Sequence, residues 1–314
     1  MKLILLGEQA TGKSSFLVAL YGALVNRRVD GLRIVRTIDE VEFLSRGLLA
    51  FGRQESLRRT EIDSDAQLLV EIAQDDRTAT LHIPDRSGEL LRHMLDARVW
   101  DPDILEQSRV ASAAMLFLRA DQLELGVGPS EAWGGGSAAG GTVPAPGAPG
   151  YGGAGPGDAW GGPAGGGAAY GPNAPGPGGG ELHPAAAQAR RSWSPALMPA
   201  DARAADLLQA LLDERSERLP IAIIVSAWDR VRGHESPQEW LSERVTLLDQ
   251  FLASNGDRLP SAVFGVSAQG GDFATGLPDQ LAGEDPWDRA YLVGPDGERR
   301  DMAAPISWLL EVTT

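Results

Sequence analysis

The sequence predicts an α/β protein, a three-layer sandwich of helices around a mostly parallel sheet with one antiparallel edge strand, interrupted by a Gly/Pro/Ala-rich insertion. Three observations lead there. The runs 113–118 (AAMLFL), 221–225 (IAIIV) and 262–266 (AVFGV) are apolar throughout, as strands covered on both faces are. Helical apolar periodicity separates them, which is the alternation of a parallel sheet with crossover helices. At the N-terminus, Gly7-Glu8-Gln9-Ala10-Thr11-Gly12-Lys13-Ser14 reads GxxxxGKS between the apolar run 3–6 and a helical pattern that begins with Ser15-Phe16-Leu17.

In chain order, residues 2–6 read as a strand and 13–25 as a helix, and 32–35 as a short strand. Apolar residues at Val41, Phe43, Leu44, Leu48 and Leu49 predict an amphipathic helix from 38 to about 51. The runs 67–73 and 78–83 flank the polar turn Gln74-Asp75-Asp76-Arg77 and predict a hairpin, the source of the antiparallel edge. A helix is expected after Gly88 and another over 200–212. One helix is predicted from Pro237 to about Leu252, capped by Ser236 with proline in its first turn. The stretch 285–300, including Trp287, reads as loop and turn, and 304–310 as a terminal helix. From about 126 to 198 the chain is dominated by Gly, Pro and Ala, too poor in apolar area to offset its backbone entropy, so a disordered insertion is expected. The expected organisation is one domain in two parts, 1–125 and 199–314, around that insertion, with a short C-terminal extension.

Composition narrows the chemistry. With no cysteine there is no disulfide framework, zinc thiolate site or iron–sulfur cluster, which fits a reducing cytoplasm. No run reaches the roughly 18 apolar residues of a membrane span, and the first apolar run is too short for a signal peptide. A formal charge of −15 disfavours nucleic acid and anionic lipid as partners. His82, His93, His183 and His234 show no metal-ligand spacing.

The GxxxxGKS run is a phosphate-binding loop by its mechanics. A strand delivers the chain to a glycine turn whose N–H groups, from Gly7 through Ser15, surround phosphates at the positive end of a helix dipole. Lys13 would reach the β- and γ-phosphates and Ser14 would ligate Mg2+. A second motif, Asp85-Arg86-Ser87-Gly88, follows the strand 78–83. There Asp85 could hold Mg2+ through water and Gly88 could offer its N–H to a γ-phosphate. Two more strand ends carry motifs: Ser226-Ala227-Trp228-Asp229 and Ser267-Ala268.

This order resembles that of the Ras-like P-loop G domains of the translation-factor-related GTPase class. The resemblance covers the chain apart from the insertion and the C-terminal extension. It implies binding of GTP and GDP with Mg2+, Asp229 reading the guanine edge, Ser267 and Ala268 supporting it, and protein partners that read the switch segments. It also implies a switch threonine on Mg2+, placed at Thr60, with Thr37 as the alternative. Arg58, Arg59 or Arg86 could act as an arginine finger in cis.

Four positions depart from that pattern. Ser226 and Ala227 stand where the family has Asn and Lys, so the aliphatic stem over the base is missing and Trp228 is left as the residue that could stack there. Glu89 stands where many members carry a water-orienting Gln, and a carboxylate near a γ-phosphate implies slow hydrolysis. Gln9 replaces a small residue in the P-loop and could either position water or simply face solvent. The extra helix at 38–51, the degenerate base motif and Pro305-Ile306-Ser307-Trp308-Leu309-Leu310 are similar to bacterial double-GTPase domains, components of multi-gene conflict or regulatory systems. The expectation is a GTP-binding switch with slow Mg2+-dependent hydrolysis. A pseudo-GTPase that holds nucleotide without turnover and a P-loop phosphotransferase are the alternatives.

Overall fold

The computed structural model describes residues 1–37, 42–55, 57, 67–74, 77–84, 88–122, 198–234, 236–274, 276–277 and 279–313. The strand β1 (Leu3–Leu6) leads through the glycine loop into α1 (Lys13–Val25). After β2 (Leu32–Thr37) and α2 (Glu42–Gly52) come β3 (Gln67–Gln74), β4 (Arg77–Pro84), α3 (Gly88–Ala97), α4 (Pro102–Val110) and β5 (Ala113–Arg119). The chain resumes with α5 (Ala200–Asp213), β6 (Ile221–Ser226), a 3-10 turn (Trp228–Arg230), α6 (Pro237–Arg244), α7 (Thr246–Ser254) and β7 (Ser261–Ser267). It ends with α8 (Asp279–Ala282), α9 (Pro286–Arg289), β8 (Tyr291–Val293), β9 (Arg299–Arg300) and α10 (Ala304–Val312).

The main sheet has the order β1-β5-β6-β7-β8-β9, parallel from β1 to β7 and antiparallel at β8 and β9. The expected antiparallel portion is a three-stranded meander, β2-β3-β4, with β4 lying beside β1. The central strands alternate strictly between two apolar layers. Ala113, Met115, Phe117, Ala222 and Ile224 face α1 and α10, while Ala114, Leu116, Leu118, Ile221 and Ile223 face α5 and α7. That double coverage is why these strands carry no polar face in the sequence. On α5, Leu207, Leu208, Leu211 and Leu212 are all buried, each contributing about 1.5–3 kcal/mol of transfer free energy.

Several expectations need correction. The stretch 285–300 is not loop and turn: it holds α9 and the edge strands β8 and β9. The three residues of β8 are too few to display a period of two. The predicted helix 237–252 is two helices, α6 and α7, parted at Val245 (φ −131°, ψ 46°). Ser242, Val245 and Thr246 are weak helix formers, the Thr246 hydroxyl donates to the Ser242 carbonyl at 2.9 Å, and the break keeps Val245 and Leu248 fully buried. The start of α6 is as expected: Ser236 accepts from the Glu239 N–H at 3.1 Å and Pro237 fills the first turn. The helix α4 had no counterpart in the reading, although Asp101-Pro102 is its signal. Asp101 accepts from the N–H groups of Asp103 and Ile104 at 3.0 and 3.1 Å. No helix among the described residues is long and apolar enough to cross a membrane.

Candidate functional site

The loop between β1 and α1 is shaped by close approaches. Gly7 (φ +143°) and Gly12 (φ +90°) adopt conformations that side chains resist. A Cβ on Gly7 would meet the Phe117 carbonyl oxygen of β5 at 2.9 Å, and one on Gly12 would meet the Ser226 Cβ of β6 at 2.9 Å. The loop is therefore pressed against the ends of two neighbouring strands, which only glycine permits. Ala10 also takes the left-handed conformation (φ +62°). Lys13 folds back over the loop and donates to the Gly7 and Glu8 carbonyls at 2.6 and 2.8 Å, and the Thr11 hydroxyl donates to the Glu8 carbonyl at 2.8 Å. Ser14 and Ser15 lie half-buried in the first turn of α1, whose N-terminus carries no acidic residue.

The second half of the site stands at the ends of β6 and β7. Ala227 is in the left-handed conformation (φ 56°) and sends the chain into the 3-10 turn that carries Asp229. The Ser267 hydroxyl donates to Asp229 Oδ1 at 2.7 Å, fixing the carboxylate. An open cleft joins the two halves, lined by Gly12 and Ser15 on the loop side and by Asp229 and Ala268 on the other. The Ser226 hydroxyl lines the same cleft, buried and without a hydrogen-bond partner among the described residues, a donor and acceptor suited to a polar ligand.

Trp228 is not a stacking residue. Only 8% exposed, it points into the core, lies flat against Gly265 and meets Trp240 edge-on at 6.5 Å. Its amphipathic bulk suggested a base platform, but the turn that presents Asp229 must send one neighbour inward as an anchor, and Trp228 is that neighbour. Gln9 lies half-buried and lines a different cavity on the far side of the loop, with Leu91, Leu95 and Leu207. Thr37 ends β2. Gly88 and Glu89 open α3. Thr60, Asp85, Arg58, Arg59 and Arg86, and the insertion from 126 to 197, lie outside the described residues.

Side-chain partners that no motif names complete the site. Glu8, inside the anion-binding loop, is neutralised by Arg203 of α5 at 2.9 Å. Arg203 is only 7% exposed and also reaches Asp96 of α3 at 3.6 Å. Arg119, at the end of β5, donates to the Ala10 carbonyl at 3.1 Å and pairs with Asp121 at 2.6 Å. Burial works to raise the Asp121 carboxyl, but hydrogen bonds from Arg119 and Arg230 and their charges outweigh it and hold the group below its ordinary value. Tyr291, paired with Ser267 in register, lies within hydrogen-bonding reach of that serine. Its phenol is pushed up by burial first and by the Asp229 charge second, so it stays protonated at neutral pH and able to donate. Of these residues only Glu8 belongs to a motif, and its partner Arg203 comes from a segment distant in sequence.

Comparison with known proteins adds a family. The model of the Double-GTPase 1 family matches residues 4–130 and 179–309, most of the chain. No curated protein matches. Among solved structures, one similar chain is Methanosarcina barkeri Roco2 RocCORdC bound to GDP, at 10% identity and a TM-score of 0.35, with 88% of this chain covered. The match spans 46% of that chain, so this chain corresponds to less than half of its length. Another is a probable GTP-binding protein engB, at 12% identity and a TM-score of 0.33, covering 87% of this chain and 91% of that one.

Proposed function

We propose, on the premise that the chain belongs to the Double-GTPase 1 family, that it is a GTP-binding switch with slow Mg2+-dependent hydrolysis. The observation that carries the reading is the single cleft that joins the loop residues Gly12 and Ser15 to Asp229 and Ala268. Phosphates belong at the loop end, where the N–H groups from Gly7 to Ser15 and the start of α1 supply positive potential. Lys13, now on the Gly7 and Glu8 carbonyls, is within a side-chain rotation of β- and γ-phosphates seated there. At the other end, the Asp229 carboxylate, oriented by Ser267, accepts from the guanine N1–H and 2-amino group, while the Ala268 backbone faces the guanine carbonyl. Ser14, Thr60 and Asp85 are the residues that would hold Mg2+, which when bound neutralises charge on the β- and γ-phosphates. Gly88 offers its N–H to the γ-phosphate, and Glu89 disfavours rapid attack by water.

In this reading residues 1–125 and 199–314 make one G domain, with 126–198 inserted in it. The protein works in the cytoplasm as part of a bacterial multi-component regulatory or conflict system. The γ-phosphate orders the segments around Thr60 and 85–95, and protein partners read that order. Glu89, Ser226 and Ala227 favour one other reading, a pseudo-GTPase that binds without turnover. Calorimetry with GTP, GDP and ATP in Mg2+ tests the proposal, with Lys13→Ala and Asp229→Ala as controls. Guanine-selective binding lost in both variants is expected, whereas ATP preference or indifference to Asp229→Ala would sink it. Phosphate release from bound GTP then separates a slow switch from a pseudo-GTPase.

A further inference from the structure

We infer that Arg119, Asp121, Arg230 and Asp272 form an ion chain that laces together the four loops of the cleft and thereby governs how long a guanine nucleotide stays bound. The inference rests on the guanine-nucleotide reading above and adds positioning residues to it. The parallel strands stand in the order β1-β5-β6-β7, and ligands of such sheets bind beyond the carboxyl ends of their strands. The ion chain crosses those ends in the same order. It starts at the Ala10 carbonyl in the loop after β1, which accepts from Arg119 Nη1 at 3.1 Å. Arg119 ends β5 and binds Asp121, two residues on, through Nε at 2.6 Å and Nη2 at 3.3 Å. Asp121 in turn receives Arg230 Nη1 from the turn after β6. Arg230 Nη2 reaches Asp272, in the loop after β7, at 2.5 Å. Asp272 also accepts the Ala274 N–H at 3.0 Å, so its own loop is braced.

The four charges alternate in sign, and each inner member has a partner on both sides. Isolated exposed ion pairs contribute little, but networks of well-oriented pairs are the exception. Here the side chains are only 20–38% exposed, and three of them, Arg119, Arg230 and Asp272, line the cleft itself. Arg230 also follows Asp229 directly, so its two carboxylate anchors fix the turn that presents the base-reading group. The chain therefore fixes the distance between the phosphate end and the base end, and a nucleotide that touches both ends feels any slack in it.

The test follows release of fluorescently labelled GDP from the full chain with Mg2+ present. Asp121→Asn and Arg230→Gln should each speed dissociation about tenfold, and the double variant by no more than either single one, because one broken link opens the whole chain. Arg119→Lys, which keeps the charge but not the planar fork, should fall between wild type and Arg119→Gln. Arg98→Gln, which removes the remote 2.8 Å pair with Asp206, should leave the rate unchanged. Thermal unfolding of the nucleotide-free variants should show them folded, separating a faster release from collapse of the site. If wild type holds GDP but the single variants release it at the wild-type rate, or if their effects simply add, the ion chain is refuted while the guanine reading stands. If wild type takes up no GDP, the guanine reading itself falls, and this inference with it.

Discussion

Gly265 and Trp228 tie the packing of the fold to the geometry of the turn that carries Asp229, and the substitution Gly265→Ala measures that tie. Two effects of opposite sign compete. Alanine restricts the unfolded chain more than glycine and would favour folding by about 0.4–1 kcal/mol if the site had room. It has none: an added Cβ would lie 2.3 Å from Trp228 Cδ2 and 2.7 Å from Cγ, where ordinary contact begins near 3.4 Å. The indole must retreat by about an ångström, and it cannot do so freely, because Trp240 stands edge-on behind it at 6.5 Å. Overpacking of this kind costs about 1–3 kcal/mol, so the clash wins and a net loss of about 1–2 kcal/mol is expected. Urea unfolding should show a lower midpoint at unchanged slope. The displaced Trp228 carries Asp229 with it, so GDP affinity should fall as well. In the double variant with Trp228→Leu the alanine should no longer be harmful, giving a coupling energy of about 1 kcal/mol or more. A Gly265→Ala protein as stable as wild type and as tight for GDP would refute the reasoning.

Three further outcomes follow from the same geometry. Arg203→Met should destabilise the fold by about 2 kcal/mol in denaturant titrations, below the 3–5 kcal/mol of fully buried pairs because Glu8 and Asp96 are about one third exposed; adding Glu8→Gln should recover part of the lost nucleotide affinity. Asp121, held below its ordinary value by Arg119 and Arg230 against its burial, contributes stability that is present above the unfolded carboxylate pKa of about 3.9 and lost as pH falls through the lower folded value; the stability gap between wild type and Asp121→Asn should therefore be full at neutral pH and close in acid, as unfolding curves recorded between about pH 7 and pH 2.5 will show. Tyr291→Phe should leave folding intact yet reduce the preference for GDP over IDP, which lacks the 2-amino group, by about threefold in competition binding, since Ser267 loses a partner and Asp229 its orientation.

What the sequence makes legible here is what is local or periodic. The glycine loop declares itself because strand, turn, lysine and helix follow one another in a single run. The strands β5, β6 and β7 are legible because burial on both faces leaves polar residues only at their ends, and α6 because Ser236-Pro237 is a complete start signal. The parts that were missed depend on partners far away in the chain. Arg289 looks like a surface arginine after a proline, yet it is 2% exposed, donates to the Phe51 carbonyl at the end of α2 and lies over the Phe273 ring at 5.3 Å. The Phe51 carbonyl lies on the far side of the sequence, so no local window reveals that contact. The same is true of Glu8 with Arg203 and of Asp121 with Arg230.

The misplacement of Trp228 has a different cause and a wider consequence. Composition says only that a large aromatic stands beside Asp229. Which way it faces is decided by a glycine 37 positions later, Gly265, which leaves a flat trough on β7 for the indole. An aromatic turned inward stabilises the turn but leaves the base with no stacking partner from that turn. In the proposed reading, base recognition relies on what remains on the walls of the cleft: the Asp229 carboxylate held by Ser267, the guanidinium of Arg119 held against the P-loop, and the Ser226 hydroxyl, which has no partner among the described residues. The first and last of these are hydrogen-bonding groups and Arg119 is a planar cation, so selectivity among bases should come from polar complementarity, with hydrophobic area contributing little. Such sites discriminate strongly against a ligand that leaves a buried donor or acceptor unmatched and weakly between ligands of similar outline. A chain built this way should distinguish guanine from adenine more sharply than it distinguishes GTP from a guanine nucleotide altered at the ribose.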